Sequence, residues 1–128
     1  MKVLLDTHAL LWAVLDPTKL TSRARTIAAD ESNEIFVSAA SAWEIATKVR
    51  LGKLPQAEKF ELSFFEVIEI AGYSLLAINA EVALRAGRLV GKHGDPFDRM
   101  IAAQAIAGDL LVLSSDPKLD SFGVRRLW

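Results

Sequence analysis

The sequence KHGDPFDRMIAAQAIAGDLLVLSSDPK, residues 92–118, joins an apolar helical pattern to a short aliphatic run, with acidic residues around both. Asp95 stands where Asp caps a helix, and Pro96 occupies the first helical position, where proline is favoured. A helix is therefore predicted from Pro96 to Gly108. The run LLVL (110–113) has the length and composition of a buried strand. A helix that leads directly into a buried strand is typical of an α/β fold.

The rest of the chain repeats this alternation of strand and helix. Four further short strands are predicted, at residues 2–5, 34–38, 74–78 and 124–127. Candidate helix caps precede the intervening helical segments: Thr21 or Ser22, Ser38 or Ser41, and Asn79. Short apolar strands alternating with helices favour a parallel sheet that is covered on both faces. The predicted fold class is α/β, a three-layer α/β/α sandwich with a short, mostly parallel central sheet, in one domain over residues 1–128.

A further helix is predicted over residues 62–72, ending at Gly72. Its adjacent residues Phe64 and Phe65 point about 100° apart on a helix, so one ring is expected to stay exposed. An exposed ring beside other apolar residues would mark an interface, whereas the alternative is that both rings fit the core.

Composition excludes several classes of protein. The chain has 128 residues, 52% of them hydrophobic, which predicts a folded chain rather than a disordered one. It has no cysteine, so disulfides, thiolate zinc sites and cysteine nucleophiles are excluded. No apolar run reaches the roughly 20 residues of a membrane span, and an early Asp argues against a secretory signal, so a cytoplasmic location is expected. The formal charge of −1 means that nucleic-acid binding would require local basic patches.

Four acidic residues are predicted to meet at one edge of the sheet. Asp6 ends the first strand, and Asp116 follows the strand LLVL. Glu44 and Asp98 lie in the early turns of their helices. In this architecture the carboxyl ends of the strands and the amino ends of the helices share one edge, where open α/β sheets bind ligands.

Such a cluster predicts a cation site. Four crowded carboxylates repel one another unless protons or cations neutralise them. Magnesium or manganese fits, because hard divalent ions prefer carboxylate and water ligands. Zinc fits poorly, since the only histidines, His8 and His93, lack paired ligand spacing.

Each acid also has a structural interpretation. Asp98 can favour the helix dipole, and Asp116 can open the turn SSDPKL. Glu44 can pair with Lys48 at i,i+4, worth about 0.2–0.5 kcal/mol. Asp6 is the hardest to explain in this way, because an acid that ends a buried strand needs a partner or a cation. The occurrence of all four at one edge favours the cation site.

Four segments, in this order, resemble the successive motifs of PIN-domain ribonucleases, especially the VapC-type toxins of bacterial toxin–antitoxin pairs: VLLDTHALLW, VSAASAWEIATK, HGDPFDRMIAAQA and LVLSSDPKL. The resemblance extends over nearly the whole chain. It implies a PIN-like nuclease domain that cleaves single-stranded or loop RNA, usually as a homodimer, and that is held inactive by a small cognate antitoxin. It also implies one or two Mg²⁺ or Mn²⁺ ions bound by the catalytic acids Asp6, Glu44, Asp98 and Asp116.

Further residues receive supporting roles. We expect the hydroxyl groups of Thr7 and Ser114 to support the acids from behind, with Ser114 and Ser115 standing where the family often has a Thr-Asn pair. Asp95 is expected to act as the helix cap. Basic side chains near the acids are candidates for phosphate contacts or solvated surface charges: Arg99, Lys48, Arg50 and Lys53. His93 and His8 flank the same edge and are candidates for substrate contact.

Two rival functions remain open from sequence. Asp6 could be the phosphoryl-accepting nucleophile of a haloacid-dehalogenase-type phosphatase, although that pattern has a second Asp where this chain has His8. The chain could also be a non-catalytic binding module with vestigial acids, which would bind no Mn²⁺. The resemblance favours hydrolysis of RNA to products with 5′-phosphate and 3′-hydroxyl ends.

Overall fold

The computed structural model describes residues 1–128 and contains a five-stranded sheet. Its strands are β1 (Lys2–Leu5), β2 (Glu34–Ser38), β3 (Ser74–Leu76), β4 (Leu111–Leu113) and β5 (Arg126–Leu127). The order in the sheet is β3-β2-β1-β4-β5, and every neighbouring pair is parallel. The carboxyl ends of all five strands therefore meet at one edge, as predicted.

Seven α-helices connect the strands. They are α1 (Thr7–Leu15), α2 (Ser22–Ala29), α3 (Ala39–Arg50), α4 (Glu58–Leu62), α5 (Phe64–Ala71), α6 (Ala80–Arg88) and α7 (Pro96–Gly108). Short 3-10 helices occupy Pro17–Lys19, Pro55–Ala57 and Pro117–Phe122. Thr21, Ser38 and Asn79 cap their helices through side-chain oxygens, which decides the two alternatives left open by sequence. None of the helices has the length and apolar composition that crossing a membrane requires.

The alternating side chains of β1 build a core on each face of the sheet. Val3 and Leu5 belong to the larger apolar cluster, with residues of α1, α2, α3 and α5. Leu4 points the other way, into a smaller cluster with Ile101 of α7 and Leu119. This is the period-two pattern of a strand that is buried on both faces. The predicted three-layer α/β/α fold is confirmed.

The helix predicted over residues 62–72 is α5, which begins at Phe64 instead, and the separate short helix α4 ends at Leu62. Ser63 lies between α4 and α5 with φ −109° and ψ 25°, outside the helical region. Its hydroxyl donates to the Lys59 carbonyl at 3.0 Å, and such back-bonding competes with regular helix continuation. The buried rings of Phe60 and Phe64 lie on either side of Ser63, with their centroids 5.4 Å apart. Phe65 is 74% exposed, so the prediction of one exposed ring is confirmed.

The strands at the edges of the sheet are shorter than predicted. β3 ends at Leu76 rather than at residue 78, and β5 contains only Arg126 and Leu127. Each of them has a strand partner on one side only. Apolar residues beyond their ends, such as Val124, pack against the core as loop instead.

Candidate active site

Asp6 lies at the centre of the carboxyl edge, directly after β1. Its side chain is nearly fully buried, and its Oδ1 accepts a hydrogen bond from the Ala9 backbone N–H at 2.8 Å, which caps α1. The Ser114 hydroxyl donates to its other oxygen. Burial raises the pKa of Asp6 from 3.8 to about 6, against the opposing effect of these hydrogen bonds. The expected contact of Ser114 with an acid is therefore present in the structure.

Asp98 lies at the third position of α7, and its backbone N–H donates to Asp95 Oδ1 at 2.9 Å. Asp95 is thus the cap of α7, as predicted. His93 Nε2 lies 2.6 Å from Asp98 Oδ2. Burial raises the pKa of Asp98, and the negative charges of Asp95 and Glu44 act in the same direction, whereas the hydrogen bond from His93 opposes them.

Asp116 begins the 3-10 helix Pro117–Phe122. Its Oδ1 accepts from the Lys118 backbone N–H at 2.9 Å, and its own N–H donates to Ser114 Oγ at 3.0 Å. One ligand atom each from His93, Asp98 and Asp116 lies within 4.8 Å of the others. A single ion could therefore contact side chains from two parts of the chain.

Glu44 is buried in α3 and pairs with Lys48 one turn later. The i,i+4 pair that sequence offered as the structural interpretation is therefore present. The negative charge of Glu44 contributes to the raised pKa of Asp98, but the group of ligand atoms within 4.8 Å of one another contains neither Glu44 nor Asp6. Lys48 supplies positive charge to the Glu44 carboxylate.

Thr7 makes a different contact from the one expected. Its hydroxyl lies 2.9 Å from the hydroxyl of Ser41, and both side chains are buried. Thr7 accordingly joins the start of α1 to the start of α3 and forms no hydrogen bond with an acid. This contact links α1, which Asp6 caps, to α3, which carries Glu44.

Arg99 is occupied by backbone carbonyls. Its guanidinium donates to the carbonyls of Ala86, Gly87, Leu89, Gly91 and His93. It also lies over the Phe122 ring, 5.3 Å from the centroid. These contacts hold the loop between α6 and α7. No contact of Arg99 supports the predicted phosphate binding, which stays a prediction.

Gln104 was missed by sequence reasoning and positions the site from within. It is buried in α7, and its Oε1 accepts from the hydroxyl of Ser38, the cap of α3. Its Nε2 donates to the carbonyls of Leu76 and Ala77 at 3.3 Å each. Gln104 thus ties together the helices that carry Glu44 and Asp98. The only sequence signal is a lone amide among the apolar residues of α7.

Arg126 was also missed. It forms an ion pair with Asp120 at 2.8 Å, and its Nη1 donates to the Ser114 carbonyl at 3.1 Å. The negative charges of Asp116 and Asp6 raise the pKa of Arg126 further, after Asp120. The guanidinium of Arg126 in β5 therefore adds a positive charge near Asp116 and Asp6.

Two aromatic residues precede two of the acids. Trp43 comes before Glu44, and Phe97 comes before Asp98. Their rings meet edge to face with centroids 4.6 Å apart, and Trp43 remains 60% exposed. His8, by contrast, is exposed, and its ring packs on Trp12 with the centroids 5.7 Å apart.

Comparison with known proteins adds to this geometry. Ribonuclease VapC16 of Mycobacterium tuberculosis (strain ATCC 25618 / H37Rv) is 57% identical over 37 residues, which are 29% of this chain and 26% of that protein. The match thus spans about a quarter of the relative's length.

Solved structures resemble the whole fold. The VapBC2 structure from Rickettsia felis, bound to a DNA fragment from its promoter, has a TM-score of 0.71 and 18% identity, covering 99% of this chain and 98% of that one. FitAcB from Neisseria gonorrhoeae has a TM-score of 0.64 and 23% identity, with coverage of 98% and 96%. VapBC-1 from nontypeable Haemophilus influenzae has a TM-score of 0.61 and 15% identity, with coverage of 99% and 97%. At these identities the likeness establishes the fold.

The sequence model of the PIN domain matches residues 3–124, which include every acid at the carboxyl edge. The chain therefore belongs to the PIN domain family.

Proposed function

We propose that this protein is a metal-dependent endoribonuclease and the toxin of a toxin–antitoxin pair. The observation that carries the proposal is the cluster of buried and half-buried acids at the carboxyl edge. Burial raises the pKa of both Asp6 and Asp98, so the cluster holds its negative charge at a cost that a bound cation would offset. The name and fold of the relatives support ribonuclease chemistry.

The donor set fits a hard divalent ion, Mg²⁺ or Mn²⁺. Carboxylate oxygens dominate it, and the single histidine has no second nitrogen ligand beside it. The residues that would hold one or two ions are Asp6, Glu44, Asp98 and Asp116. When bound, such an ion lowers the pKa of a coordinated water and so supplies the nucleophile that attacks phosphorus.

The surrounding residues orient the acids for this task. Ser114 and the Ala9 N–H hold the two oxygens of Asp6, and Asp95 fixes the start of the helix that carries Asp98. Lys48 lies against Glu44, and its ammonium would be available to an RNA phosphate if a bound cation neutralised Glu44. His93, beside Asp98, is placed to contact the same phosphodiester.

The toxin assignment is supported by the VapBC structures that share the fold, since a toxin fold of this kind occurs with an antitoxin partner in them. We propose a small antitoxin that covers the acids, action on cytoplasmic RNA, and a homodimer. Leu62, Phe65 and Ile70 are 81%, 74% and 86% exposed, and they supply apolar surface for such an interface.

The decisive experiment is cleavage of an end-labelled single-stranded RNA by purified protein with Mg²⁺, Mn²⁺ or EDTA. Wild type should cleave with either ion and not with EDTA, whereas Asp98→Asn should be inactive. Asp109→Asn is the matched control, because Asp109 ends the same helix far from the acids, and Asn tolerates its left-handed φ of 52°. Full activity of the Asp98 variant, or none in wild type, would refute the proposal.

A further inference from the structure

The loop before α7 and the 3-10 helix Pro117–Phe122 flank an open cleft of about 390 Å³ beside the acids. Its lining contains no hydrophobic residue and consists of Lys92, His93, Gly94, Lys118 and Ser121. The cleft touches the candidate active site at two points. His93 contacts Asp98, and the backbone of Lys118 contacts Asp116.

The walls of the cleft are held in place by the rest of the fold. Arg99 binds five carbonyls of the segment 86–93 and packs over Phe122 of the opposite wall. At Gly91 the two walls are in contact, since an added methyl carbon would lie 2.7 Å from the Phe122 ring and 3.2 Å from Ser121 Oγ. The loop and the 3-10 helix are therefore packed against each other at Gly91.

The charge in the cleft has no internal partner. The ion pairs of the structure join Lys48 to Glu44, His93 to Asp98, Arg125 to Asp109 and Arg126 to Asp120. Neither Lys92 nor Lys118 forms one, whereas the Ser121 hydroxyl already donates to the Lys118 carbonyl at 3.0 Å. Two ammonium groups without an ion-pair partner in a polar cleft match a phosphate group.

We propose that this cleft binds a backbone phosphate of the RNA next to the one that is cleaved, with Lys92 and Lys118 as its contacts and Arg99 as the positioning residue. The inference rests on the proposed ribonuclease function. It gives the direction of the bound RNA, because the RNA chain would extend from the acids toward the 3-10 helix. It also explains how a chain with a net charge of −1 can bind RNA, namely through a local patch.

The test measures binding separately from cleavage. In an Asp6→Asn background, which removes a buried acid outside the cleft, a fluorescent single-stranded RNA is titrated at several salt concentrations. Adding Lys92→Ala and Lys118→Ala should weaken binding several-fold for every RNA sequence. It should also reduce the slope of log Kd against log salt by about 0.7 for each phosphate that the protein no longer neutralises. Lys19→Ala is the control, since this exposed residue follows α1 at the opposite edge of the sheet.

The outcomes separate the two proposals. If the double lysine variant binds RNA with the affinity and salt slope of the Lys19 control, the phosphate cleft is refuted, whatever the wild type cleaves. If the double variant binds more weakly as expected but wild type cleaves no RNA, the cleft stands and the ribonuclease proposal fails. Inorganic phosphate should not displace the RNA at matched ionic strength; displacement would assign the cleft to a small anion and overturn the inference.

Discussion

Replacement of Asp6 by Asn should stabilise the metal-free protein at neutral pH. Because burial raises the pKa of Asp6 to about 6, the folded state binds more protons than the unfolded state between about pH 4 and pH 6. The free energy of unfolding therefore falls as pH rises through this window, and the loss is complete above pH 6. At about 1.4 kcal/mol per pH unit, the rise in pKa from 3.8 corresponds to about 3 kcal/mol.

Asn should recover most of this energy while keeping the local contacts. Its side-chain oxygen can still accept from the Ala9 N–H, and Asn caps helices as well as Asp does. In wild type, Ser114 Oγ donates to Asp6 and accepts from the Asp116 N–H. In the variant, the Ser114 hydroxyl can rotate so that its oxygen accepts from the new side-chain amide as well. Since burying the amide still has a desolvation cost, we expect the free energy of unfolding to rise by about 1–3 kcal/mol above pH 6.

The assay is urea unfolding in EDTA from pH 4 to pH 8, for wild type, Asp6→Asn and the control Asp109→Asn. Wild type should lose stability between pH 4 and pH 6, and the Asp6 variant should lose less. A residual slope is expected from Asp98, whose pKa burial also raises. Parallel profiles for wild type and the Asp6 variant would refute the reasoning. Added Mg²⁺ should stabilise wild type more than the variant.

Growth arrest, base stacking and oligomeric state can each be tested with a single variant. Expression of wild type alone should arrest growth, whereas Glu44→Gln should not and should still bind the antitoxin; arrest by the Gln variant would place toxicity elsewhere. Trp43→Ala should weaken RNA binding by about 1–3 kcal/mol, the contribution of one stacked base, while leaving the salt slope unchanged; a changed slope, or unchanged affinity, would contradict stacking on this exposed ring. Light scattering should give a mass near twice the 14.0 kDa chain for wild type and a smaller mass for Phe65→Ser; a wild-type monomer at all concentrations would argue against the homodimer.

Sequence reasoning predicted best those features that depend on local pattern. The strands β1 and β2 and the caps Thr21, Ser38, Asn79 and Asp95 follow from residue type and spacing over a few positions. The predicted ends of the edge strands and the predicted start of the helix at residue 62 were wrong. Strand ends depend on available partners, and the backbone of Ser63 leaves the helical region. The strand ends and helix starts that carry the acids share one edge of the sheet, as the topology predicts. The chemical roles of the acids stay predictions until metal binding and cleavage are measured.

What the sequence determined by itself is the α/β alternation, the parallel sheet and the edge at which the acids gather, because apolar periodicity and the handedness of crossovers suffice for these. Only the tertiary structure decided which side chains touch. Ser114 meets Asp6 across 108 residues, and Gln104 meets Ser38 across 66. Arg99, a candidate phosphate ligand from sequence, binds the backbone carbonyls of a loop. Thr7 forms a hydrogen bond with Ser41 instead of with an acid. Such contacts depend on rotamers and close packing between distant elements, and no local periodicity of the chain encodes them.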